Sequence, residues 1–314
     1  MTRAGLFVLA VVMGACRTWS AGQAPASITP VPLFGPVIGA EVIGGRADER
    51  DDVLLLAGGT DLVRIALSAR RAVRVKLRLS VAEECWNLAR LTDGSLWTLK
   101  GRQTLARLGS DGAIASETRL PGPHFGLFAA GDRLLFQRAD FTPPGPALVA
   151  AVPGGTQSPW SAIATRTFPS LARASVAALN MVTCGPTDSR ERACWFPDEA
   201  VVSLVDDNGS TRRVTLAGLV VSAPEALLTS DNPQRPVRDA YVDAGGGIWI
   251  LSSGASSAAA ADVPGGWVLG RYLSDGTSTG LVRLSSAARL ILRVDARSVI
   301  LLMSTGMVAE VPRW

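Results

Sequence analysis

The chain has a single histidine, His124, in 314 residues. That excludes poly-histidine sites, two-histidine metal motifs and any mechanism that needs a histidine base beside a histidine ligand. Lysine is nearly as scarce: Lys76 and Lys100 are the only two, so the basic side of a formal net charge of +4 is almost all arginine. A nucleic-acid footprint needs basic residues gathered on one face, so the skew reads as codon bias and no nucleic-acid partner is expected. Charged residues make up 18% of the chain against 47% hydrophobic, a balance that supports extensive burial and argues against disorder. Past the N-terminus no apolar run is long enough to span a bilayer.

The N-terminus itself reads as an export signal. Arg3 supplies the positive charge and Ala4 to Ala15 an apolar run too short for a transmembrane helix. Met13-Gly14-Ala15-Cys16 resembles a bacterial lipoprotein box, with Met13 standing where leucine is usual; that resemblance implies lipidation of Cys16, the one route to a membrane. The other route is ordinary cleavage near Gly22, which removes Cys16. Either way the protein is expected outside the cytoplasm: periplasmic, held at the outer membrane as a lipoprotein, or extracellular. Cys184 and Cys194 flank a polar loop between two strand-like runs, so a disulfide stapling a hairpin is reasonable, whereas the spacing without a nearby histidine makes a poor zinc site. Cys85 reads as a small buried hydrophobe at the start of a strand.

What the chain does have is a repeat. Trp86 to Leu99 aligns with Arg238 to Leu251, and Leu105 to Gly112 with Leu269 to Gly276. Each copy parses into four short strands separated by Asp-Gly or Gly-rich turns, and each such unit buries its faces only against its neighbours, so the repeat predicts a closed all-β array. The second blade runs from Trp86 to Leu120 and the fifth from Val237 to Leu284. Weaker copies give a first from Ala40 to Leu79, a third from Phe125 to Phe168 and a fourth from Ala178 to Leu216. Arg289 to Trp314 supplies only three strands, so the extended segment Ile28 to Ile38 is expected to complete the last blade. The result is a six-bladed β-propeller at 40–314, preceded by a signal at 1–22 and a linker with the ring-closing strand at 23–39. The Asp-Gly, x-Leu/Ile-Trp and Arg-x-x-x-Asp-Gly rhythm resembles the propellers of the NHL and two-component-regulator type, an architecture shared by enzymes, scaffolds and sensors.

Long links between the second and third strands of blades three and five, and after blades three and four, emerge on one face, called here the top face; long irregular loops are where binding tends to reside. The run Ser252 to Ala261 reads equally as a tolerated low-complexity insertion. Counting back from the tryptophan of each second strand puts Trp86, Asn87, His124, Arg238, Asp239 and Arg289 at the channel mouth, with Asn180 from the fourth blade. This ring suits a small polar or anionic ligand, or a protein partner, on a monomer. The rival reading is a metal-assisted hydrolase or lyase using Asp239, Asn87, Asn180 and His124. No Gly-x-Ser-x-Gly elbow accompanies His124, the Gly-rich turns have no helix behind them to hold a phosphate, and the recurring Trp97 and Trp249 mark packing between blades. Arg74, Lys76 and Arg78 alternate with apolar residues, the pattern of a solvated edge strand, with contact to an acidic partner as the alternative. No cofactor and no resident metal are expected.

Overall fold

The computed structural model of the chain describes residues 27–28, 31–32, 42–48 and most of 52–314; within that last span, 70, 80–83, 110, 139–142, 152, 154–156, 222–223, 225–235 and 254–266 lie outside the description. The signal segment with Cys16, most of the linker and most of the 252–261 loop therefore fall outside the described residues.

The first two strands are short, β1 at Ser27–Ile28 and β2 at Val31–Pro32. Consecutive strands then form successive blades, each built outward from the central axis. Blade 1 holds β3 (Val42–Asp48), β4 (Asp52–Ala57), β5 (Asp61–Ala66) and β6 (Arg71–Lys76). Blade 2 holds β7 (Cys85–Arg90), β8 (Leu96–Lys100), β9 (Thr104–Leu108) and β10 (Ile114–Arg119). Blade 3 holds β11 (His124–Ala130), β12 (Arg133–Arg138), β13 (Pro146–Ala151) and β14 (Ser158–Ala164). Blade 4 holds β15 (Thr183–Cys184), β16 (Glu191–Trp195), β17 (Val201–Asp206) and β18 (Thr211–Thr215). Blade 5 holds β19 (Asp239–Val242), β20 (Ile248–Ser253), β21 (Trp267–Tyr272) and β22 (Ser278–Leu284), and blade 6 holds β23 (Ala288–Val294), β24 (Ser298–Met303) and β25 (Val308–Pro312). The architecture is a six-bladed β-propeller.

Ring closure uses the N-terminal segment, and in two places. β2 pairs antiparallel with β25 as the fourth strand of blade 6. β1 adds a fifth strand to blade 5, parallel to β22, with Ser27 opposite Arg283 and Ile28 opposite Leu284. The segment thus crosses from the rim of one blade to the rim of the next.

Apolar clusters lie between adjacent blades, one for every pair around the ring. Strand alternation sorts side chains between them. In β4, Val53, Leu55 and Ala57 face blade 6 while Leu54 and Leu56 face blade 2. In β20, Trp249 and Leu251 face blade 6 while Ile248 and Ile250 face blade 4. Both faces of such a strand are buried, which explains why Val53-Leu54-Leu55-Leu56 is a continuous apolar run instead of an alternating one.

The one described departure from an all-β chain is α1 (Arg173–Leu179), in the link between blades 3 and 4. Sequence reading treats that link as loop, because the segment has no acidic residue in its first turn and no side-chain N-cap. The expected fourth blade, starting at Ala178, begins instead at Thr183, since Ala178 lies in the last turn of the helix. Cys184 and Cys194 are disulfide-bonded between directly opposed positions of β15 and β16, and Cys85 is buried at the start of β7. On the edge strand β6, Arg74 lies 3.8 Å from Asp61; just beyond it, Arg78 reaches Asp111 of blade 2 at 3.5 Å.

Leu55 is fully buried at the closure between blades 1 and 6. Leu55→Ala is expected to cost about 2–5 kcal/mol, read from chemical denaturation. Tyr272 is buried with its hydroxyl, and burial pushes its pKa up to about 12. Because the raised value favours the neutral form, its stabilising effect is complete below the unfolded tyrosine pKa of about 10 and disappears as pH rises through the folded one. In a Tyr241→Phe variant, where Tyr272 is the remaining tyrosine, ultraviolet titration should show no tyrosinate until the pH approaches 12.

Candidate functional site at the channel mouth

The inner strands share a local irregularity where the chain enters them from the top face. In β7, Trp86 opposes Leu99 and Leu88 opposes Thr98, which leaves Asn87 without a place in the ladder. In β11, His124 opposes Arg138 and Gly126 opposes Gln137, leaving Phe125. In β23, Ala288 opposes Met303 and Leu290 opposes Leu302, leaving Arg289. In blade 5 the Arg238 N–H donates to the Leu251 carbonyl at 2.8 Å while Asp239 also faces Leu251, so Asp239 occupies the same position. A β-bulge inserts one residue, bends the strand and re-aims a side chain. Repeated around the axis, it gives the mouth its own set of residues.

Those residues differ in what they have left to offer. Trp86, Asn87, Phe125, Arg238 and Arg289 are half-buried. Asn87 has φ 60 and its carbonyl accepts from the Thr98 hydroxyl at 2.7 Å. Asp239 is buried, and its carboxylate accepts the Ile291 N–H at 2.6 Å, a tie from blade 5 to blade 6. His124 is buried with its ring edge-on to Phe136 at 5.3 Å. Arg238 has its guanidinium 5.8 Å from the centre of the Trp267 ring.

Asn180 stands three residues before Thr183, the residue opposite Trp195, as Trp86 stands before Ala89 and Arg238 before Tyr241, but its side chain is committed to α1. Fully buried, it sits at the C-terminal cap of α1, where its amide donates to the carbonyls of Arg166 at 2.9 Å and Val176 at 3.0 Å and accepts from the Arg166 N–H at 2.7 Å. Its own carbonyl accepts from the Gln137 amide at 2.6 Å.

Two arginines that the spacing did not single out organise the top face. Arg166 holds the corner between blades 3 and 4: its guanidinium makes a two-pronged pair with Asp198, at 2.8 and 2.6 Å, reaches Glu199 at 3.0 Å and donates to the Leu179 carbonyl. Phe196 lies 4.1 Å from it and Phe168 5.1 Å. Arg102 lies in the short turn joining β8 to β9, with its guanidinium 4.4 Å from the Trp86 ring centre and 5.2 Å from that of Phe125. Its φ is 63, and among the described residues Asn87 and Arg102 are the two non-glycines with positive φ. That conformation costs an arginine about 1 kcal/mol, more than it costs an asparagine, whose side chain tolerates it. No motif announces either arginine; the acidic partners of Arg166 are 32 and 33 residues downstream, and the rings beside Arg102 are on two different blades.

Among the described residues no three His, Cys, Asp or Glu side chains come together in a way that could hold a metal ion. Removing one member of the Arg166 pair leaves the buried Asp198 uncompensated. Arg166→Met is expected to destabilise the fold by about 3 kcal/mol in denaturant unfolding, well above the cost of changing an exposed arginine such as Arg107.

No protein-family model matches the chain, and no curated protein matches it. Solved structures do. A catalytically inactive virginiamycin B lyase from Staphylococcus aureus, with quinupristin, is 15% identical, with a TM-score of 0.53 over 89% of this chain and 83% of that one. The calcium-binding protein regucalcin from Agrobacterium tumefaciens is 10% identical, with a TM-score of 0.54 over 91% and 95%. A member of the DUF4221 family from Bacteroides vulgatus is 9% identical, with a TM-score of 0.57 over 90% and 95%. At these identities the likeness is one of fold.

Proposed function

We propose that this chain is an exported binding module that takes a small polar or anionic ligand at the mouth of its propeller, on the top face. The observation that carries the reading is the repeated bulge, which sets Asn87, Phe125 and Arg289 half-buried at the entrance of three inner strands. The groups that a metal-assisted hydrolase or lyase would need are engaged elsewhere. Asp239 accepts the Ile291 N–H, and the Asn180 amide caps α1. Arg238 and Arg289 add positive charge beside any cation that approached. Export is supported by the signal-like segment at 1–22 and by the Cys184–Cys194 disulfide, which suits an oxidising compartment. On this reading 23–39 links the signal to a monomeric propeller at 40–314, with membrane attachment only through Cys16.

Elemental analysis of protein purified without chelator is expected to show no stoichiometric divalent metal. Asp239→Ala is expected to lower stability by about 1–3 kcal/mol, because it orphans a buried N–H. One calcium or similar ion per chain, lost in a folded Asp239→Ala variant, would overturn the reading in favour of the enzyme.

A further inference from the structure

We infer that Arg102 is the anion receptor of the mouth, presenting its guanidinium edge to the carboxylate of a small planar organic acid; the inference rests on the mouth being a binding site and names what it takes. Three independent observations converge on this corner between blades 2 and 3. Arg102 is an arginine in a backbone conformation suited to glycine, and Asn87, the other described non-glycine with positive φ, is the chain neighbour of Trp86, whose ring lies against the Arg102 guanidinium. Strained residues persist where the surrounding structure holds them and cluster at ligand sites. The Arg102 carbonyl accepts the His124 N–H at 2.9 Å, which pins the turn to blade 3.

The second observation is how the charge is held. The guanidinium carbon lies over the Trp86 and Phe125 rings, and among the described residues Arg102 makes no ion pair and no side-chain hydrogen bond. Its N–H edge is therefore uncommitted, in a fork geometry that matches a carboxylate. The third is that Glu117, a described acidic side chain of the same blade, is already paired. Lys100 and Glu117 pair with each other at 2.5 Å. Arg119, exposed at the end of β10, opposes Thr104 in the strand that follows the Arg102 turn.

The surroundings select among anions. One fork with two aromatic residues beside it suits a singly charged planar acid with a small apolar body. A tetrahedral dianion is better served by a cluster of backbone N–H groups or a helix N-terminus.

Calorimetric titration of the full mature chain with benzoate and, separately, with inorganic phosphate tests this. Benzoate is expected to bind, and Arg102→Gln to weaken it at least about tenfold. Arg102→Gly suits the φ of 63 and is expected to stay folded while losing benzoate to the same degree, which keeps the test valid if the glutamine variant fails to fold. Unchanged affinity in either folded variant overturns the assignment, as does phosphate binding more tightly than benzoate. Benzoate held instead through Arg238 or Arg289, shown by Arg238→Gln and Arg289→Gln, would remove Arg102 and leave the mouth reading standing. No benzoate or phosphate binding to the unaltered chain overturns the assignment too.

Discussion

No blade of this propeller can bury its own faces. Each is a twisted sheet with two apolar surfaces, and the only cover available is the next sheet on either side, so the ring must close for any blade to be stable. The alternation in β4 and β20 shows how far the constraint reaches into the sequence, because adjacent residues serve different interfaces and neither face can be given to solvent. The tie between blades 6 and 1 is made of the same materials as the other five. It carries in addition the task of joining the two ends of the chain.

Where apolar cover runs out, the backbones themselves meet. Gly185 of blade 4 sits so close to blade 5 that a Cβ would lie 1.8 Å from the Ala240 carbonyl oxygen, and Thr187 then bonds to the Val242 carbonyl. Gly276 of blade 5 meets blade 4 in the same way farther from the axis, where a Cβ would lie 2.0 Å from the Thr215 oxygen and the Gly276 carbonyl accepts the Ala217 N–H at 3.1 Å. On the lower face Arg313 pairs with Asp243 at 2.9 Å, and Trp314 packs edge-on to Trp249 at 5.3 Å. The mouth is therefore framed by sheets tied to each other at both ends, a rigid setting for side chains that bulges have turned out of register.

The repeat in blades 2 and 5 made the fold legible because turns and apolar periods are local. The structure shows what the repeat conserves physically: the indole N–H of Trp97 finds the Ser95 hydroxyl at 2.8 Å, and that of Trp249 finds the Asp243 carboxylate at 3.0 Å. The partner changes while the satisfied donor does not. Counting back from these tryptophans located Asn87 and Asp239 at one bulge position, but spacing cannot tell an uncommitted amide from a carboxylate already bonded to the next blade. Nor could it show that the Asn180 amide is spent on α1, a helix without a side-chain N-cap. Arg102 was invisible for a different reason. Its significance depends on φ and on two rings from separate strands, and none of these is a property of neighbouring residues.

The path of the N-terminal segment has a consequence for the order of events when the chain is made. β2 finds its partner in β25, so a strand synthesised among the first waits for the last one described. A ribosome can release blades 1 to 5 as successive hairpin stacks, each resting on the one before, but the seam is sealed only when almost the whole polypeptide has emerged. Until then blade 1 shows a bare apolar flank, and such exposed surface invites association with other chains. Contacts between opposite chain ends are slow to form. By lying across the rims of both blade 5 and blade 6, the segment makes that late step a clasp over two sheets at once.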